Sequence, residues 1–449
     1  MTPPYDAIVV GAGFAGLSAA TRLASGGARV LVLEARSRLG GRATAFADRD
    51  SGEVVDNGQH VLFGCYTHTF DFLRTIGAAG YVRLQPNLRV TMIDRAGRRT
   101  RLTCPPLPPP LHLVAGVIDW DALDWTDRLS VLRMAAAIRL ARRSLRANAR
   151  TIAASPGETV ENWLIRNGQT ARLRELLWYP LALAALNQPP DRAAAPPFAR
   201  VLAEMFGPDP AAAAIGLPAR PLDAMYAEPA RAFIEGHGGT VRTGAPATIH
   251  IERHRIAAVE AADERWHSRI VIATVPWFAI GGVFTGDTAP LGPMLASAHA
   301  MASSPIVTVN LWFDRVVLDE PFVGLPGRAL QWVFDKRALF GGAASHLSLV
   351  SSGASPLVAL TNEQLIAQAH ELLMDAMPEI RSAALLRATV VREPRATFSL
   401  APGQPARPST ATPIPGLFLA GDWIDTGLPA TIESAVRSGH TAADMAAGT

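Results

Sequence analysis

The sequence predicts an α/β protein, a Rossmann-like domain assembled from separated stretches of chain with an α+β domain inserted into it. Three observations carry this expectation. An apolar strand, a glycine-rich turn, a helix and a second apolar strand follow one another at the N-terminus. A helix, a glycine pair and a strand recur after residue 221, and near the C-terminus a strand ends in Gly421-Asp422 ahead of a helical stretch. The regions between these pieces have helical or β character but no dinucleotide motif. At 449 residues the chain has length for two domains.

The N-terminal unit is the most explicit. Asp6 to Val10 reads as a strand, Gly11-Ala12-Gly13-Phe14-Ala15-Gly16 follows, and Leu17 to Ser25 has helical apolar spacing. Gly26-Gly27 closes the helix, and Arg29 to Leu33 forms a second strand ending at Glu34. Each glycine has a role: Gly11 allows the tight turn, Gly13 lets backbone approach a pyrophosphate, and Gly16 lets helix and strand pack closely. Phe14 and Ala15 lie in this turn as candidate cofactor contacts, and the helix N-terminus that follows offers free N–H groups and a dipole that favour phosphate. Glu34, eighteen residues after Gly16, can accept hydrogen bonds from ribose hydroxyls and would repel the extra phosphate of NADP. Ala35 and Arg36 then lead to Gly40-Gly41-Arg42. Bare backbone at this glycine pair can lie against a second phosphate or ribose, and Arg42 can add charge-assisted hydrogen bonds.

Composition excludes several classes. No stretch reaches the roughly 18 uninterrupted apolar residues of a membrane span, and Ile270 to Phe284 is cut by Pro276 and Gly281-Gly282. No signal peptide is apparent, which predicts a cytoplasmic protein. Cys65 and Cys104 have no metal-type spacing, so no metal site is expected. The net charge of +3 comes with no aromatic-basic alternation, which argues against a nucleic-acid partner. Lys336 is the only lysine.

After Arg42 a loop and strand lead to Asp56-Asn57-Gly58-Gln59-His60, with His60 in a strand-like run that continues to Tyr66. Pro105 to Pro110 holds five prolines in six residues and is expected to mark the exit from the nucleotide domain. Asp119 to Arg150 is predicted helical, with Trp125, Leu129, Leu132, Ala136 and Leu140 on one stripe and Arg128, Arg139, Arg142 and Arg146 crowding its flank. Glu158 to Asn187 reads as further helix. Leu222 to Gly236 is a helix that Pro229 must kink or shorten, and a strand follows Gly238-Gly239. Ile256–Val259 and Arg269–Val275 are predicted as a strand pair. Val307–Phe313, Gln331–Phe334 and Leu347–Val350 have β character suited to the floor of a cavity. Glu363 to Met374 reads as a helix and Thr389 to Arg395 as a strand. Gly416 to Trp423 and Gly427 to Gly439 complete the C-terminal strand–turn–helix.

The run Arg36 to Arg42 resembles the FAD signature shared by amine oxidases and carotenoid desaturases. The Asp56–Tyr66 segment resembles one lying beside the flavin in plant-type carotenoid desaturases, which would bring Asn57, Gly58, Gln59 and His60 to the ring. The resemblance also gives Ala247, where many relatives carry Val, a main-chain contact with adenine, and Thr274 a place at a flavin-side strand end. Gly421 and Asp422 would meet the ribityl or phosphate side, and the amides near Thr431 and Ile432 the pyrimidine edge. Together these segments are similar to the amine oxidase and phytoene desaturase superfamily of flavoproteins, whose FAD domain is of the discontinuous GR2 type. The domains implied are 1–85, 221–294 and 401–449 for FAD, and 86–220 and 295–400 for substrate.

Within that superfamily, Asp56–His60 and Thr426–Glu433 most resemble the squalene-associated desaturase-like branch, the hydroxysqualene dehydroxylases of hopanoid biosynthesis. Ser434 departs from it, standing where glycine is expected and adding a hydroxyl near the ring. The resemblance implies loss of hydroxyl from a C30 isoprenoid held in an aliphatic tunnel, with hydride from reduced FAD. His60, with Gln59 beside it, is the proton donor nominated, because imidazole titrates near neutrality. The other readings are a carotenoid-type desaturase or isomerase, an amine oxidase, and an FAD-bearing scaffold for prenyl transferases of the same pathway. The arginine-flanked helix and Trp120, Trp125, Trp163 and Trp178 further predict peripheral contact with the inner face of the cytoplasmic membrane.

Overall fold

In the computed structural model, which describes residues 5–48, 52–146, 153–342 and 345–448, five parallel strands form one sheet. Their spatial order is Thr240–Arg242, Val30–Leu33, Ala7–Val10, Ile270–Ala273, Leu417–Leu419. Strands buried on both faces have no polar side, which is why Ala7–Val10 and Val30–Leu33 read as unbroken apolar runs. The register aligns Arg242 with Leu33, Leu33 with Val10, Val10 with Ala273, and Ala273 with Leu419. All five strands therefore end level. Gly11, Glu34, Thr274 and Gly421 each follow within two residues of such an end, in the crevice where parallel sheets bind ligands.

The helix Phe14–Ser25 packs against the C-terminal helix Ile432–Ala447. Their contact is close because Gly439 has no side chain: a Cβ there would come within 2.3 Å of the Ala15 carbonyl oxygen. The residues Asp223–Ala227 form a π-helical turn that runs into the helix Glu228–Gly236. Pro229 follows directly on this π-helical turn, where the regular helical hydrogen-bond pattern is already shifted, and the helix continues through it to Gly236.

The predicted pairing of 256–259 with 269–275 is not found. Arg255–Ala261 pairs with Ala247–Glu252 and Glu264–Trp266 in a separate sheet. Ile270–Ala273 instead enters the parallel sheet. Arg253 and His254, both with positive φ, turn the chain straight back into a hairpin, so the nearer strand takes the pairing.

A seven-stranded sheet forms the second layer, in the order Leu385–Phe398, Ser303–Phe313, Ser345–Ser352, Trp332–Asp335, Phe322–Gly324, Arg89–Ile93, Arg99–Thr103. Alternation decides its two faces. Val307, Val309 and Leu311 pack with Leu365, Ala369 and Leu373 of the helix Asn362–Ala376. Thr308 and Asn310 bury on the opposite face. Because Arg89–Ile93 and Arg99–Thr103 already belong to this sheet, the proline run 105–110 lies inside the second region and leads to the helix Leu111–Asp119. The short strand Ile215–Pro218 pairs with Leu62–Phe63 and Val82–Leu84, tying the two regions together.

The long helix predicted over 119–150 follows the helix Leu111–Asp119 and is broken into Trp125–Ser130, a 3-10 turn Val131–Arg133 and Met134–Arg146, the first started by an Asp124/Asp127 capping box. Its apolar stripe exists, but it faces outward. Met134, Ala137, Ile138 and Ala141 are buried, and Met134–Arg146 packs on Ala195–Met205. Trp125, Leu129, Leu132 and Leu140 are 64, 55, 47 and 54% exposed. Arg128 is turned back onto the carbonyls of Leu123 and Trp120, and the Arg146 side chain and residues 147–150 lie outside the described residues. Trp120, Trp163 and Trp178, expected near a membrane surface, are fully buried in the core. Their indole N–H groups reach Thr100, the Ala153 carbonyl and Gln169, which makes burial of such amphipathic rings possible. No helix among the described residues is long and apolar enough to cross a membrane.

Candidate functional site

A cavity of about 670 Å³ starts at the level strand ends and continues between the two layers. At its nucleotide end the walls are backbone. Gly11 has φ of +108°, and a Cβ on Gly16 would lie 2.0 Å from the Gly11 carbonyl oxygen. Any side chain at Gly16 would push helix and strand apart, so Gly16 acts through packing and does not line the cavity. The Thr274 hydroxyl donates to the carbonyls of Val10 and Gly11 at 2.9 and 3.0 Å and locks this turn. The second glycine turn faces the first: the Gly40 amide donates to the Ala12 carbonyl at 2.9 Å, and Gly41 lies against Gly13.

Glu34 is buried, with one oxygen accepting from the Ala12 amide at 2.8 Å and the other from the Arg36 amide at 2.9 Å. Those two bonds leave further lone pairs on a carboxylate held at the cavity edge, the requirement for a ribose acceptor. Arg36 folds over the Gly41 carbonyl. Ala35 and Ala247 close the same end. Phe14 lines the cavity, while its ring is buried and stacks on Tyr226 at 3.5 Å between centroids. The Tyr226 hydroxyl in turn donates to the Gly40 and Ala43 carbonyls, bracing both glycine turns from behind.

In the middle of the cavity, Arg42 bonds the Asp422 carboxylate at 2.5 Å and the Ala396 carbonyl at 2.7 Å. Asn57 donates to the Arg42 carbonyl at 2.9 Å and to Glu393 at 3.2 Å. The Gly421 amide donates to Ser438 at 2.8 Å. Thr431 caps the C-terminal helix by accepting from the Ser434 amide, so the helix N-terminus and Ile432 border the cavity. The Ser434 hydroxyl does not point toward the site. It donates to the Asp422 carbonyl and bonds Thr426, fully buried, which ties the Gly-Asp turn to the loop.

His60 and Gln59 stand in a loop, not a strand, on the wall beyond Gly58. The His60 Nδ1 lies 3.2 Å from the Gly58 carbonyl oxygen, which can only accept, so the hydrogen is on Nδ1 and Nε2 carries the lone pair. His60 opens onto the cavity yet is enclosed by protein. Burial, above all, pushes its pKa down; Lys336 and Arg42 add to this, and Asp56 opposes it. The shift favours the neutral imidazole over the imidazolium. Gln59 donates to the His60 carbonyl at 3.1 Å and accepts from Lys336 at 2.6 Å.

Beyond His60 the wall becomes aliphatic, with Val90, Met92, Leu102, Leu113, Leu181 and Phe334 among its residues. Leu177 and Trp178 enter it from a π-helical turn, Arg174–Trp178. Sequence reasoning missed Glu393, Lys336 and nearly all of this tunnel. Alternation shows that Val90 and Met92 share a face, but nothing in it separates a face on a cavity from a face on a filled core.

A cavity that is backbone-lined at one end and aliphatic at the other defines an FAD-dependent oxidoreductase. The two glycine turns, the fixed acid and the helix N-terminus fit FAD. Residues 14–446 match the family described as flavin containing amine oxidoreductase, and the chain belongs to it. It is 31% identical to hydroxysqualene dehydroxylase of Rhodopseudomonas palustris over 97% of each chain. Against the enzyme of that name from Sinorhizobium fredii it is 29% identical, over 99% of this chain and 98% of the relative. The 15-cis-phytoene desaturase of Arabidopsis thaliana is 26% identical, over 97% of this chain and 79% of that protein. Among solved structures, an oxidoreductase from Methanosarcina mazei shares the fold with a TM-score of 0.72 at 17% identity, over 98% of this chain and 99% of that one.

Proposed function

We propose that the protein converts hydroxysqualene to squalene by reductive dehydroxylation. The observation that carries this reading is the aliphatic tunnel, which joins the flavin site at His60 and Gln59. Full-length similarity to relatives named hydroxysqualene dehydroxylase supports it. Bound in its reduced form, FAD would supply the hydride that takes the place of the hydroxyl, while one proton is taken up and water leaves. The tunnel walls bind the apolar chain and exclude water from the reacting carbon. His60, neutral and with Nε2 free to accept, is suited to hold the substrate hydroxyl by its hydrogen. Similarity to phytoene desaturases favours a second reading, oxidative desaturation of a related chain. Anaerobic mixing of reduced protein with hydroxysqualene separates the two. Flavin reoxidation with squalene formation is expected, and a flavin that stays reduced rejects the dehydroxylase reading.

A lipid-borne substrate has to reach the tunnel. We propose that the outward stripe Trp125, Leu129, Leu132 and Leu140, with the exposed Arg133, Arg139 and Arg143 beside it, docks on an anionic membrane surface. The helix Leu111–Asp119 links this face to the cavity, since Leu113 lines the tunnel while Leu111 is 57% exposed. Each such arginine contributes on the order of 1 kcal/mol near anionic lipid. The protein should co-sediment with anionic vesicles at low salt and be released at high salt. A wild type that stays in solution at low salt would end the proposal.

A further inference from the structure

The sole lysine of the chain lies where the two layers meet. Lys336 opens the short helix Lys336–Phe340, behind the strand Trp332–Asp335 of the seven-stranded sheet. Its side chain is 4% exposed, and its Nζ lies 2.6 Å from Asp56 Oδ2 and 2.6 Å from Gln59 Oε1. The Phe340 ring covers it, with the centroid 4.5 Å away. Asp56 is equally buried and also accepts from the Leu222 amide. Burying two charges gains little stability over a well-packed apolar pair of the same volume, because desolvation offsets the attraction. The pair therefore invites a role other than stability.

That role follows from hydrogen-bonding capacity. An ammonium has three donors and no acceptor, whereas the two ends of a glutamine amide differ. The end of Gln59 that faces Lys336 has to be its oxygen. The NH2 end is then turned away, one hydrogen going to the His60 carbonyl at 3.1 Å and the other left for the cavity that Gln59 lines. Without the lysine, the amide could flip and present an acceptor instead. We propose that Lys336, held by Asp56, is a positioning residue that fixes Gln59 as a hydrogen-bond donor toward the flavin. The proposal rests on the cavity being the FAD site and is independent of which substrate the tunnel takes.

The decisive variant is Gln59→Glu, which keeps an oxygen for Lys336 and the Asp56 pair but removes the N–H. It should retain stoichiometric FAD, show a displaced visible absorption band, and lose about 10-fold in kcat with KM within a factor of two. Lys336→Met alone leaves Asp56 buried and unpaired and is expected to fold poorly. The double variant Lys336→Met/Asp56→Asn removes both charges and should reproduce the Gln59→Glu spectrum. Lys336→Arg, again donor-only, should restore the wild-type band. A Gln59→Glu protein with wild-type spectrum and kcat would overturn the proposal, as would a Lys336→Arg protein that behaves like the double variant. Because spectrum and FAD content are read without substrate, failure here is distinct from failure to dehydroxylate hydroxysqualene.

Discussion

The two ends of the cavity are built on opposite principles. At the nucleotide end, recognition comes from main-chain groups at the ends of parallel strands, and side chains matter mostly by being absent, as at Gly16 and Gly439. At the tunnel end, recognition comes from the volume left between side chains contributed by Arg89–Ile93, Arg99–Thr103, Leu111–Asp119 and Tyr179–Leu186. A main-chain site tolerates little substitution at a few positions. A volume site tolerates much, provided the shape survives. The difference implies that cofactor binding and substrate choice can fail separately.

The hardest blow to the nucleotide end should be Glu34→Lys. It removes the ribose acceptor, strands the Ala12 and Arg36 amides, and buries a positive charge beside Arg36. FAD affinity is expected to fall by about 10³-fold, with the apoprotein otherwise folded. Retention of stoichiometric flavin after gel filtration would show that the acid is dispensable.

The matching change at the tunnel end is Ala184→Trp. Ala184 lines the cavity and is exposed, so a large ring there narrows the space without breaking a packed core. FAD content should be unchanged, while kcat/KM for a C30 substrate drops by roughly 10- to 100-fold. Equal loss of flavin and activity would mean that the two ends are not independent.

A smaller effect should appear with pH. Burial, first of all, holds His346 down to about 3 and His440 to about 4, and it also lowers His60 and His112. A folded-state pKa below the unfolded value of about 6.5 means that the unfolded chain binds more protons between those limits. The stability that His346 and His440 contribute is present above pH ~6.5 and is lost as pH falls toward about 4 for His440 and about 3 for His346. His440 lies in the flavin region and His346 in the seven-stranded sheet. Of these two, only the His346 contribution continues to fall below pH ~4, so His346→Gln should flatten that part of the melting curve more than His440→Gln. Indistinguishable profiles would leave the acid response to other groups.

The sequence by itself determined the N-terminal strand–helix–strand unit, its two glycine turns, Glu34 and the Gly421-Asp422 turn, because these depend on local backbone conformation and on which positions lack a Cβ, whereas the place of Ile270–Ala273 in the parallel sheet was decided by folding. The segment Asp56–His60 was legible as a unit but not its chemistry. Only folding encloses His60 and shifts its titration, and only folding brings Lys336 to Gln59 across 277 residues of chain. The stripe at 125–140 was visible as periodicity, whereas its outward direction was decided by Ala195–Met205 packing on Met134, Ala137, Ile138 and Ala141. The same holds for the tryptophans, whose burial depends on partners such as Gln169 and Thr100 that no local pattern specifies. Backbone geometry is written residue by residue, but burial, register between distant strands and the direction of a face are properties of the packed whole, and those are what the tertiary structure decided.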